Sequence, residues 1–372
     1  MTPSAPEAQH YSRIKNLIFV ATIILDLIVF KVFFFSGQSD VLRHWAFSIF
    51  PQAVLANALY LFFFGLLLYA IHFPISLFSG YYWEHRYKLS NQNLFQWWMD
   101  DMKKNALGFC LMLVMMEVIY LFLGKVSQSW WIWASCFWIF VSVVLARITP
   151  NVIVPLFFKY AAVENQSLKE RIFKVFDDCK VALKDIYTIN LSVKTKKANA
   201  FLCGLGKNRR VVLSDTLVEH FTPSEIEVVV AHELGHYKHH DIAKLLVIQS
   251  GLTFISFYAV DQLIRNTMRQ FDYTEIDNIA LLPMLLYFLT LINLMVLPLI
   301  NWFSRTVEKE ADRFSIEVTQ KPEDFISLME KLAKMNLSEL KPNKWVERIL
   351  YDHPSIDNRI HFAKTYLTKA SS

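Results

Sequence analysis

Six stretches of the chain carry about 20 mostly apolar residues each, the length that crosses a bilayer as a helix. They run near 15–35, 53–79, 106–124, 130–148, 243–263 and 279–303. Asp26 and Lys31 interrupt the first. Charges at that depth face protein or a wet cavity, so either the interior holds water, or Asp26 is paired inside the bundle and Lys31 snorkels. Trp130, Trp131 and Trp133 read as an interfacial belt, and Phe62, Phe63 and Phe64 as facing lipid or core.

The longest polar stretch, 159–241, reads as a folded insert. Leu168, Ile172, Val175, Phe176, Cys179 and Leu183 recur at helical spacing and predict an amphipathic helix over 166–184. Ile186–Val193 and Arg210–Leu213 look like short strands joined through the Gly204/Gly206 region. Thr222-Pro223-Ser224-Glu225 then opens a helix, with Thr222 as cap, Pro223 in the first turn and Glu225 completing a capping box. The fold class is an all-α polytopic membrane bundle of about six spans with a small α+β insert.

Composition agrees. The 372 residues are 54% hydrophobic and 19% charged, against about 25% charged in a soluble chain, and the mean hydropathy is +0.30. That excludes a disordered chain, a fibrous repeat and an ordinary cytosolic enzyme. Lys and Arg total 38 against 33 Asp and Glu, a net +5 too mild to argue for a nucleic-acid partner. Cys110, Cys136, Cys179 and Cys203 show no paired spacing, so neither a disulfide framework nor a cysteine zinc site is expected. The first apolar run is longer than a signal h-region and lacks a small-residue cleavage site, which makes it an uncleaved span.

Loop charges give an orientation. Arg13, Lys15, Arg86, Lys88, Lys103, Lys104 and the basic residues between Lys159 and Arg210 fall on one set of connections. Arg43, Lys125, Arg265 and Arg269 fall on the other. The positive-inside rule puts the first set, both termini and the motifs below in the cytoplasm.

His232-Glu233-Leu234-Gly235-His236 lies on the helix that Thr222 starts. Histidines four apart share one face and can reach one zinc, and Glu233 can take a proton from a metal-bound water. Catalytic zinc usually has a third protein ligand. Glu308 and Asp312, four apart directly after the sixth span, supply a candidate: Glu308 on the metal, with Asp312 accepting a hydrogen bond from a liganding histidine. Alone, that run would read as a solvated helix start. His239, His240 and Asp241 continue the helix off the ligand face and read as interfacial polar residues.

With these pieces the chain resembles the membrane zinc metalloproteases that include the type I CAAX prenyl proteases and the heat-shock protease HtpX. The likeness rests on His232 to His236, Ser304-Arg305-x-x-Glu308-x-x-Ala311-Asp312, Asn199-Ala200-Phe201 with Gly204 and Gly206, and His353-Pro354 with Arg359. Glu84 to Gln92 and four spans before the insert are similar to the CAAX branch. The eukaryotic members have seven spans, and the gap between the first two here is too short for another. Lys309 and Glu310 also replace the family's usual Phe-Gln.

The resemblance implies one zinc per chain and peptide-bond hydrolysis near the C-terminus of prenylated or similar membrane peptides. It implies that Asn199 holds a substrate backbone group, that His353 faces the zinc and stabilises the tetrahedral intermediate, and that Arg359 supports the site. It divides the chain into a four-span region, 1–154, and a metalloprotease domain with two further spans, 155–372. The expected setting is a bacterial inner membrane or an endoplasmic-reticulum-type membrane, with peptide or protein substrates, the bilayer itself and no nucleic acid as partners. Quality-control cleavage of membrane proteins, or an inactive polypeptide-binding relative, are the alternatives.

Overall fold

The structure is a computed structural model and describes residues 5–204 and 206–370. Helix α1 (Ala5–Phe35) is followed by the short α2 (Gln38–Ile49) and by α3 (Ala53–Ser76), which continues through a π-helical turn into α4 (Trp83–Arg86). Next come α5 (Leu94–Lys125) and α6 (Trp130–Ile148), the latter running through a second π-helical turn into α7 (Val154–Phe157). The insert holds β1 (Tyr160–Ala162), α8 (Gln166–Asp178), β2 (Asp185–Ile189), β3 (Ala200–Cys203), β4 (Arg210–Ser214), α9 (Asp215–His220) and α10 (Pro223–Lys238). Helices α11 (Asp241–Gln270) and α12 (Leu282–Thr319) re-enter the bundle, and α13 (Pro322–Asn336), α14 (Lys344–Leu350) and α15 (Ile356–Ala370) close the chain.

Among the described residues, six helical rods are long and apolar enough to cross a membrane, one for each predicted run. The gap after the first run is not a plain loop. It folds as α2, which at 12 residues is about 18 Å long and too short to span. Helix α5 starts 12 residues before its apolar run because Asn93 and Gln96 cap each other, at 2.9 and 3.0 Å.

The bundle core joins Phe30, Tyr60, Phe64, Tyr120, Leu123, Trp130 and Phe257. Phe62 and Phe63 are exposed, so the phenylalanine run divides between surface and core. Asp26 is paired, with Oδ1 2.7 Å from His72 Nε2. Trp130 departs from the expected belt: it is fully buried, and its Nε1–H donates to Asp261 Oδ1 at 2.6 Å. An indole buried that deeply needs a partner, and α11 supplies one. Trp133 remains exposed.

The insert sheet has the order β1-β2-β4-β3, with β2 and β4 parallel and both outer pairs antiparallel. The expected strands 186–193 and 210–213 do pair, but in parallel, with β3 between them in sequence. The Gly204/Gly206 turn joins β3 to β4, leaving β3 an open edge, and Leu191–Val193 is a 3-10 turn. Helix α8 ends at Asp178, short of the predicted 184, because Lys180 turns left-handed (φ 55°). There Val181 N–H donates to Phe176 O at 2.9 Å, a C-terminal cap. A second core packs α8, the sheet, α10 and α13 through Ile172, Phe176, Leu213, Ile226, Leu234 and Phe325.

Candidate metal centre

Helix α10 begins where Thr222 N–H donates to Glu225 Oε2 (2.8 Å) and Glu225 N–H donates to Thr222 Oγ1 (3.2 Å). Ile226, Val230, Ala231 and Leu234 are buried in the insert core, which fixes the rotation of the helix. Helix α12 passes very close, because a Cβ at Gly235 would lie 3.2 Å from Ala311 Cα. Any side chain at 235 would force Ala311 or Phe314 to give way by a few tenths of an ångström. The crossing brings buried Glu308 and Asp312 against the two histidines.

Glu308 Oε2 lies 3.4 Å from His232 Nε2, and Glu308 Oε1 lies 3.3 Å from His236 Nε2. The two Nε2 atoms are 3.2 Å apart. Behind them, His232 Nδ1 is 3.0 Å from Asp312 Oδ1, and His236 Nδ1 is 3.0 Å from Asp241 Oδ2. An ionised carboxylate can only accept, so each Nδ1 carries a proton toward its aspartate, and each Nε2, facing Glu308, is the atom that can exchange its proton for a metal. Glu308 Oε2 is buried without a hydrogen-bond partner. A divalent cation taking the place of those protons would be bound by both Nε2 atoms and would answer the free carboxylate oxygen. The residues fit a metal ion.

Asp241 is the residue that sequence reasoning missed. On a continued helix it would face away from the ligands. Instead His240 adopts a left-handed conformation (φ 58°), the chain turns between α10 and α11, and Asp241 comes back to His236 fully buried. The sequence carried no signal for that reversal. His239, Asp241 and Glu310 also cluster, but Lys244 Nζ already lies 3.1 Å from Asp241 and 3.5 Å from Glu310.

His353 and Arg359 arrive from the C-terminal segment. His353 Nε2 lies 3.3 Å from Glu308 Oε1, and Arg359 grips Asp312 through Nε (2.9 Å) and Nη2 (2.5 Å). Helix α15 starts at Ile356, two residues after Pro354. Arg305 donates to the carbonyls of Glu347, Arg348 and Tyr351, which ties the His353 loop to α12. Asn199 precedes β3 and shares a cavity of about 180 Å³ with His232, Glu233, His353 and Arg359. Its backbone N–H donates to Ser214 Oγ at 3.0 Å, and its Oδ1 accepts from Ala200 N–H at 2.9 Å.

Burial opposes charge on His232, yet Asp312 and Glu308 outweigh it and push the pKa up to about 10. His236 is raised too, burial being overcome mainly by Glu308. The centre therefore favours a cation. Burial raises Glu233, with His232 and His236 offsetting it in part. A carboxyl raised in this way holds a proton more readily than an exposed one.

Residues 162–367 match the family described as Peptidase family M48. The chain belongs to this peptidase family. Residues 4–159 match a second description, the CAAX prenyl protease N-terminal region of five membrane helices. In this M48 chain that region has four spanning rods and the short α2. Similar proteins include the "Uncharacterized metalloprotease YhfN" of Bacillus subtilis, 29% identical over 96% of this chain and 84% of that one. A "CAAX prenyl protease 1 homolog" of Arabidopsis thaliana is 30% identical over 77% and 68%. The crystal structure of S. mikatae Ste24p shares the fold, with a TM-score of 0.84, 20% identity, and coverage of 98% and 91%. The M48 chain is a metalloendopeptidase built into a multi-pass membrane bundle.

Proposed function

We propose that the chain holds one zinc ion on His232, His236 and Glu308 and cuts peptide bonds near the C-terminus of prenylated or similar membrane-associated peptides. The carrying observation is that both Nε2 atoms and the Glu308 carboxylate converge beside a cavity that Glu233 also lines. Bound zinc would polarise the scissile carbonyl and acidify the attacking water. Glu233 takes the water's proton and passes it to the leaving amine. His353 donates toward the developing oxyanion, and the Asn199 amide holds a substrate backbone group. Asp312 and Asp241 hold the histidine tautomers, and Arg359 holds Asp312.

The prenylated substrate class is supported by relatives named CAAX prenyl protease in Arabidopsis thaliana and Homo sapiens, which favours it over quality-control cleavage. The basic loops support a cytoplasmic active site. In intact cells an external thiol reagent should reach a cysteine placed at Ser129 and not one placed at Lys194. The decisive experiment measures zinc content and cleavage of a farnesylated CAAX peptide and of an unmodified membrane protein. Glu233→Gln should keep zinc and lose cleavage of both, whereas Glu308→Ala should lose the metal. Equal zinc in Glu308→Ala and wild type would sink the ligand assignment, and a preference for the unmodified protein would sink the substrate class.

A further inference from the structure

A larger cavity, of about 860 Å³, lies between α6, α11 and the β3–β4 turn, apart from the metal centre. Val143 and Ala146 of α6 and Ile242, Leu245 and Leu246 of α11 form an apolar wall. Arg147, Lys184 and Arg210 also line it, with no carboxylate among the described lining residues. Arg210 Nε is buried without a hydrogen-bond partner, and its guanidinium lies 5.6 Å from the Tyr187 ring centroid. Lys184 Nζ has only a long 3.4 Å contact to Asn208 Oδ1. Three cations without a carboxylate beside them favour an anion, which they would meet through charge-assisted hydrogen bonds.

Depth narrows the choice. Arg147 is the basic residue in the last turn of α6, where a spanning helix meets the headgroups. The apolar wall on α11 comes from its first turns, at the same boundary, and Ile242 there is 73% exposed. The cations therefore sit at headgroup level, with aliphatic side chains from two spans leading into the hydrocarbon. A free phosphate would have no use for that wall. An uncharged isoprenoid would leave Arg147, Lys184 and Arg210 without a counter-charge.

We propose that this cavity binds an anionic phospholipid. Its phosphate meets Arg147, Lys184 and Arg210, and an acyl chain lies along Val143, Ala146, Leu245 and Leu246. Charge complementarity carries the choice. The proposal does not depend on the substrate or on the zinc ligands.

Native mass spectrometry of the full chain in detergent, titrated with phosphatidylglycerol and with phosphatidylcholine of the same acyl chains, tests it. Wild type should retain one phosphatidylglycerol with at least tenfold preference, and the Arg147→Gln/Arg210→Gln variant should lose that preference while keeping its metal content. Leu245→Trp, which fills the cavity and leaves the cations, should also lose the lipid, so the test survives misfolding of the double variant. Equal binding of the two lipids, or undiminished phosphatidylglycerol binding in the variants, would overturn the proposal. Displacement of phosphatidylglycerol by equimolar inorganic phosphate would make the cavity a simple anion pocket. Displacement by N-acetyl-farnesylcysteine methyl ester would make it an isoprenoid groove, and either result refutes the lipid.

Discussion

Asp241 Oδ2 lies 3.0 Å from His236 Nδ1, although the two are five positions apart with a left-handed His240 between them. The contact makes the α10–α11 turn part of the metal centre. His232 Nδ1 lies 3.0 Å from Asp312 Oδ1, and Asp312 is itself held by Arg359. Each proposed imidazole ligand is thus oriented by a carboxylate from a different helix.

Replacing such a carboxylate typically lowers metal affinity by about 10–100-fold. Asp241→Asn should weaken zinc binding by roughly tenfold, and Asp241→Ala by more, without unfolding the chain. Competition with a chelator, read beside circular dichroism, measures this. Wild-type affinity in Asp241→Ala would show that the contact does not orient His236.

His353 faces Glu308 from a loop that Arg305 pins to α12. A donor that acts mainly in the transition state should affect turnover more than binding. His353→Ala is expected to keep its zinc and nearly its KM, and to lose about a hundredfold in kcat. Loss of metal in that variant would instead make His353 a ligand or a structural residue.

Gly235 permits the crossing that brings Glu308 to the histidines. A β-branched side chain there would push into Ala311 and Phe314, with an overpacking cost of about 1–3 kcal/mol. Gly235→Val should lower the apparent Tm and the zinc content together, while Gly251→Val, where a Cβ meets nothing within 4 Å, should spare the zinc. Full zinc occupancy in Gly235→Val would show that the close approach is dispensable.

Glu225 is buried, yet Lys331 (2.7 Å), Ser327 (2.6 Å) and the Thr222 N–H outweigh burial and hold its carboxyl below the usual range. The stability it contributes is present above its unfolded pKa of about 4.3 and is lost as pH falls through the lower folded value. Glu225→Gln should therefore cost about 2 kcal/mol near pH 7, and its deficit should shrink below about pH 4. Thermal unfolding of both proteins from pH 7 to pH 3 checks this. A deficit that stays constant with pH would refute the ionic contribution.

Local pattern determined much of this protein. Apolar run length marked the six spans, because a helix must match the thickness of the hydrocarbon it crosses. The Thr222 capping box and the i, i+4 spacing of His232 and His236 depend only on neighbours along one helix, and both were legible. Glu308 was legible as a partner of that motif, though not on its own. Tertiary structure decided the rest. The parallel pairing of β2 with β4 is a long-range choice that no strand pattern encodes, and it leaves β3 at the edge. Trp130 looks like any boundary tryptophan until Asp261 meets it from another helix. Asp241 joins the centre only because one backbone torsion at His240 reverses the chain, and the phase of a continuous helix points it elsewhere. Contacts set by periodicity can be read from sequence, whereas contacts made by a break in periodicity exist only once the chain has folded.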